Sequence, residues 1–133
     1  MRPITSIVVH CSATEVGTVE SIREYHIKHN GWKDIGYHYV IYKDGSTHMG
    51  RAIDRVGAHC PEVNRDSIGI CLIGLNDFKD IQFTALQNLI DALRIKYPDI
   101  KKLYEHREFP SAKAQGKNCP NTDVKGRIKW KQS

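Results

Sequence analysis

The run "SIGICLIG", residues 67–74, constrains the fold more than any other stretch of the chain. Successive side chains on a strand point to opposite faces, and here both faces are apolar. A strand of that kind lies in the middle of a sheet with cover on both sides. A second apolar run, "IVV" at 7–9, heads another strand over 5–10. Between and after these runs lie two helical segments. "TVESIREYHIKHNGW" has Thr18 as its N-cap and stops at Asn30-Gly31. "FTALQNLIDALRIKY" places Leu86, Leu89, Ile90 and Leu93 on one stripe, with Thr84 and Gln87 spaced as a capping box.

The remaining signals complete the outline. "YHYVIYKDGSTHMGR" reads as two strands turned at Asp44-Gly45. "KLYEH", after Pro98, is a short strand, and the tail from Phe109 is loop plus a last short helix. The order β-α-ββ-β-α-β-α predicts an α/β fold, a mixed central β-sheet flanked by helices. No repeat, low-complexity tract or linker interrupts the 133 residues, so a single domain over 1–133 is expected.

Composition narrows the setting. The chain is 40% hydrophobic and 26% charged, an ordinary globular mixture. No apolar run approaches the roughly 20 residues of a membrane span, so no membrane insertion is expected. The opening "MRPITSIVVHCSAT" is too short in apolar residues for a secretory signal, which predicts synthesis and folding in the cytoplasm. The four cysteines show no CxxC pairing, and a reducing compartment argues against disulfides. A net charge of +5 favours anionic partners, nucleic acid or an anionic polymer such as a cell wall. "KGRIKWK" gathers part of that charge around Trp130, and by itself it establishes no nucleic-acid binding.

"IVVHCSAT" places two metal-ligand types side by side. If Ile7 and Val9 face one side, Cys11 continues it and His10 faces the other, so the pair does not chelate one ion. His106 ends "LYEH", and Cys119 follows it in "KNCP". Two imidazoles, a thiolate and an open position make up a catalytic zinc site. Taken singly, each residue reads as easily as a polar strand end or a packed cysteine. Spacing alone does not choose between the two readings.

Five blocks do choose. "VVHCSAT", "GWKDIGYHYVIYKDG", "GRAIDRVGAHC", "DSIGICLIG" and "EHREFPSAKAQGKNCP" follow one another over residues 5–130. In order and spacing they resemble the zinc-dependent N-acetylmuramoyl-L-alanine amidases, especially the short phage lysozyme-type amidases, and more distantly the peptidoglycan-recognition proteins. The resemblance implies His10, His106 and Cys119 as ligands of Zn2+, Tyr37 and Lys117 as catalytic residues, and His59 in the substrate groove. Cys11 is then packing. Zinc with an open position polarises a carbonyl and acidifies water. Lys117 and Tyr37 would stabilise the oxyanion, or Tyr37 would assist proton transfer.

Other residues get simpler readings. His38 is expected to be structural, and His26, His29 and His48 to be surface or helix-face residues. Glu105 or Glu108 is a candidate to orient an imidazole. The segment 107–118 is longer and more basic than in the shortest relatives of this kind, which bears on substrate preference.

The implied activity is hydrolysis of the amide between N-acetylmuramic acid and L-alanine of the stem peptide, in bacterial cell-wall lysis. A module of the same fold that binds peptidoglycan without cutting it is the alternative. Family members of that kind have lost the cysteine ligand, which this chain keeps. One resembling type also binds a phage RNA polymerase, a partner for which no residue here gives support. A monomer is expected, and no nucleic-acid partner. With no secretory signal, it would reach the wall as a phage or prophage endolysin released through a holin, or as a delivered toxin.

Overall fold

A computed structural model describes residues 2–131. The order is β1 (Ser6–Cys11), α1 (Val19–Asn30), β2 (Tyr39–Ile41), β3 (Thr47–Met49), β4 (Ser67–Leu72), α2 (Asp80–Lys96), β5 (Lys102–Glu105), α3 (Pro110–Ala114) and α4 (Val124–Arg127). Single 3-10 turns over Asn64–Asp66 and His106–Glu108 precede β4 and follow β5. The five strands form one sheet in the order β3-β2-β4-β1-β5. β1 runs parallel to β4 and β5, β2 parallel to β4, and β3 antiparallel to β2. The mixed sheet is therefore as expected, with "SIGICL" at its centre and every residue of it buried.

Alternation along the strands sorts the two faces. Ile7, Val9, Ile68, Ile70 and Leu72 pack against Phe83, Leu86, Ile90 and Leu93 of α2. The opposite face carries Val8, His10, Gly69 and Cys71, in register as Val8↔Gly69 and His10↔Cys71. There α1 and the connecting loops provide cover through Val19, Ile22 and Ile35 around Cys71. The α2 face is a purely apolar core. The α1 face is where polar chemistry is buried.

Local signals explain most boundaries and miss some. The Thr18 hydroxyl accepts from the Ser21 N–H, and the Ser21 hydroxyl accepts from the Thr18 N–H, which closes the first turn of α1. Gly31 ends the helix in a left-handed conformation, φ 71°. The Asp44-Gly45 turn joins β2 and β3 as predicted, with Gly45 at φ 85°.

The start of α2 differs. It begins at Asp80, four residues before Thr84, whose hydroxyl reaches only the Asp80 carbonyl. Gln82 takes the capping role, accepting from the Lys79 N–H and donating to the Ile73 and Ile41 carbonyls. That role depends on burial between strand ends, which no helical pattern reports.

The tail also differs. α3 is an extra helical turn with Pro110 in its first turn. The terminal helix is only Val124–Arg127, and the basic stretch after it lies on α2, with Ile128 buried and Trp130 beneath the Arg94 guanidinium at 3.8 Å. Among the described residues no helix is long and apolar enough to cross a membrane.

Candidate active site and metal centre

β1 ends at the mouth of a cleft of about 920 Å³. Its walls include Tyr25, His26 and Trp32 from α1 and the turn after it, Tyr37 and His59 from loops, and Lys117 and Cys119 from the segment before α4. His10 is 1% exposed, and its ring lies 4.4 Å from that of His106 and 5.0 Å from that of Tyr37, centre to centre. The donor atoms of His10, His106 and Cys119 all fall within 4.8 Å of one another. Donors of one tetrahedral zinc stand roughly 3.3–3.8 Å apart, so a small contraction closes the set.

Each donor is positioned by a separate device. β1 aims His10 off the site face of the sheet, as the alternation predicts. His106 sits where β5 gives way to a 3-10 turn. Cys119 is anchored through its carbonyl, which accepts from the Arg107 N–H at 2.8 Å, and through its sulfur, which accepts from the Cys11 N–H at 2.8 Å. Cys11 therefore does not face away from the site. It lines the cleft beside Cys119 and is not one of the three converging donors. Regular alternation ends with the strand: two residues on, Ala13 has φ 58°.

The electrostatics suit a cation. Burial, reinforced by His59, His106 and Lys117, pulls His10 well below the usual imidazole range, and burial with Lys117 lowers His106. Both rings are thus neutral and can donate a lone pair. The Cys11 side chain and burial push the Cys119 thiol up, so a neighbouring positive charge is what would release its proton. Two neutral imidazoles and a thiol that ionises only against a cation fit zinc. The four cysteines are free, as expected.

Tyr37 and Lys117 both border the cleft. Burial, with the Cys71, Cys119 and Cys11 thiols, raises the Tyr37 hydroxyl well above 10, so it is a proton donor at neutral pH. Tyr37 is not on a strand, since β2 starts at Tyr39. The chain bends at Gly36, where a Cβ would stand 2.1 Å from the Ala58 carbonyl oxygen. No other residue type passes there without displacing backbone.

Three readings of other residues are corrected. His26 is not a surface residue. It is 9% exposed, accepts from the Gly36 N–H at 3.0 Å and packs its ring near Trp32 and Tyr37. Its position seven residues along from Val19 and four from Ile22 puts it on the buried stripe of α1, a signal available in the sequence. Neither Glu105 nor Glu108 orients an imidazole. Glu105 accepts from Arg107 and from the Val124 and Lys125 N–H groups, and Glu108 accepts from the Glu105 N–H and the Lys125 ammonium. Glu105 pairs with Val9, whose side chain faces α2, so alternation turns it away from His106. His29 and His48 do lie outside the cleft, stacked on Tyr25 and Tyr42.

His38 is structural, as expected. Its Nδ1 accepts from the Gly69 N–H and its Nε2–H donates to the Arg55 carbonyl, so the ring is neutral. Burial lowers it to about 4. A neutral buried histidine stabilises the fold fully above its unfolded value near 6.5, and that contribution is lost as pH falls toward 4. Between pH 7 and 4.5 the expected loss from this residue is roughly 2–3 kcal/mol. Urea unfolding at the two pH values should show a drop smaller by that amount in His38→Gln; equal drops would refute the assignment.

Known proteins are similar to this chain in sequence and in fold. The family described as N-acetylmuramoyl-L-alanine amidase matches residues 1–122. The endolysin of Klebsiella phage KP32 is 38% identical over 91% of this chain and 83% of its own length. That of Escherichia phage T7 is 39% identical over 90% and 82%. The solved amidase LysC from Clostridium intestinale superposes with a TM-score of 0.83 at 32% identity, covering 96% of this chain and 88% of its own. A match over nearly the whole chain, in sequence and in fold, means that the chain belongs to the N-acetylmuramoyl-L-alanine amidase family and is a peptidoglycan amidase.

Proposed function

We propose that this amidase is zinc-dependent, that His10, His106 and Cys119 hold the ion, and that Tyr37 and Lys117 act on the scissile amide. The observation that carries the reading is the convergence of the three donors beside a cleft bordered by both proposed catalytic side chains. Bound zinc would supply Lewis acidity toward the scissile carbonyl and toward water at its open position.

The chain's own groups account for the remaining needs. Water adds to the carbonyl carbon of the lactyl group, the C–N bond breaks, and the alanine nitrogen leaves carrying a proton. The exposed Lys117 ammonium and the protonated Tyr37 hydroxyl would donate hydrogen bonds to the oxygen that gains charge. The net positive charge of the chain suits an anionic wall polymer. His59, at the inner wall of the cleft, borders the space available to substrate.

The protein would act as a monomer on the cell wall after release from the cell that makes it. A binding-only role is disfavoured because all three donors and both proposed catalytic residues are present. Metal analysis paired with turbidity loss of purified walls tests the reading. About one zinc per chain is expected, with lysis abolished by chelation and restored by zinc. Undiminished lysis by metal-free protein would reject it.

A further inference from the structure

We propose that His59 is a positioning residue for the metal centre. It would accept a hydrogen bond from the Nε2–H of His10, fixing the tautomer that leaves Nδ1 free for the cation, with Ser67 holding His59 in turn. This inference rests on the zinc reading above.

The geometry is a chain of three buried side chains. His10 Nε2 lies 2.9 Å from His59 Nδ1, and His59 Nε2 lies 3.2 Å from the Ser67 hydroxyl. His59 is 9% exposed and Ser67 is fully buried. The seat for the His59 ring is built into the backbone. A Cβ on Gly69 would meet its Cδ2, Cγ and Nδ1 at 2.7–2.9 Å, and one on Gly57 would meet its Cδ2 at 2.7 Å. The Asn64 side-chain oxygen accepts from the His59 and Cys60 N–H groups, which holds the loop that carries the ring.

One proton occupies the gap between two neutral imidazoles, and it has two placements. If His59 donates, His10 carries its own proton on Nδ1 and both of its nitrogens are engaged. If His10 donates, Nδ1 keeps a lone pair, and His59 passes its Nε2–H to the Ser67 oxygen. Only the second arrangement lets His10 ligate. Ligating histidines usually give their other N–H to a carboxylate, a carbonyl or water. A neutral imidazole in that place orients the ligand without adding negative charge to the centre.

Long-range 1H–15N spectra of the zinc-loaded wild type read the tautomer directly. Protonated Nε2 is expected on His10, with unprotonated Nδ1 on His59. Zinc affinity, measured by chelator competition, should fall about 10–100-fold in His59→Phe, which keeps a ring and removes the acceptor. His59→Asn keeps an acceptor near the Nδ1 position and should recover most of that loss. Zinc uptake with protonated Nδ1 on His10 overturns this inference alone, and so does an unchanged affinity in His59→Phe. A wild type that takes up no zinc overturns the zinc reading and this one with it. If His59→Phe does not fold, the wild-type spectrum still decides.

Discussion

Replacing Cys119 with alanine should reduce wall lysis by at least about 10³-fold and bring zinc content close to zero, while the fold survives. A lost outer partner of a metal ligand typically costs about 10–100-fold. Loss of a direct ligand from a set of three should cost more, because two imidazoles alone then compete poorly with water and chelators for the ion. The folding cost should be small. The substitution removes a sulfur that accepts one backbone N–H, that of Cys11, worth about 1 kcal/mol. The paired measurement is metal content and turbidity loss on the same preparation, with thermal unfolding as the control. Retained lysis with undiminished zinc content in a folded Cys119→Ala variant would remove this cysteine from the site.

Tyr37→Phe should lower turnover by about 10²–10³-fold, the usual cost of one oxyanion donor, with zinc content unchanged. The ring is held by packing near His10 and His26, at 5.0 Å and 5.6 Å between centres, so phenylalanine keeps the same place. Only the hydroxyl is lost. The hydroxyl holds its proton throughout the neutral range, so a donor role predicts no loss of rate from Tyr37 ionisation between pH 7 and 9. Turnover of a muramyl-peptide substrate with KM measured separately is the appropriate readout. A rise in KM alone would make Tyr37 a binding residue, and an unchanged rate would leave it a packing residue.

Much of this is legible in the sequence. The doubly apolar "SIGICL" segment becomes the central strand because no other place in a sheet covers both of its faces. The stripe of α2 and the caps of α1 are local periodicities, and the chain obeys them. Five ordered blocks carry the family resemblance, and with it the three donors that the fold brings together.

The residues read less well owe their places to packing. Gln82 caps α2 because strand carbonyls surround it, and Cys11 turns toward the cleft because its strand ends there. His26, although on a readable stripe, looked like one more polar residue on a polar helix.

The sequence by itself therefore determined the order of the elements, the central strand, the family and the residue types that can bind a cation. Tertiary structure alone decided what each of those residues touches. His10 and His59 are 49 positions apart, and Cys11 and Cys119 are 108 apart. Periodicity reports the geometry of a few neighbouring residues. Contacts across a sheet depend instead on how closely two backbones approach, which is set at Gly36, Gly57 and Gly69 by the absence of a side chain.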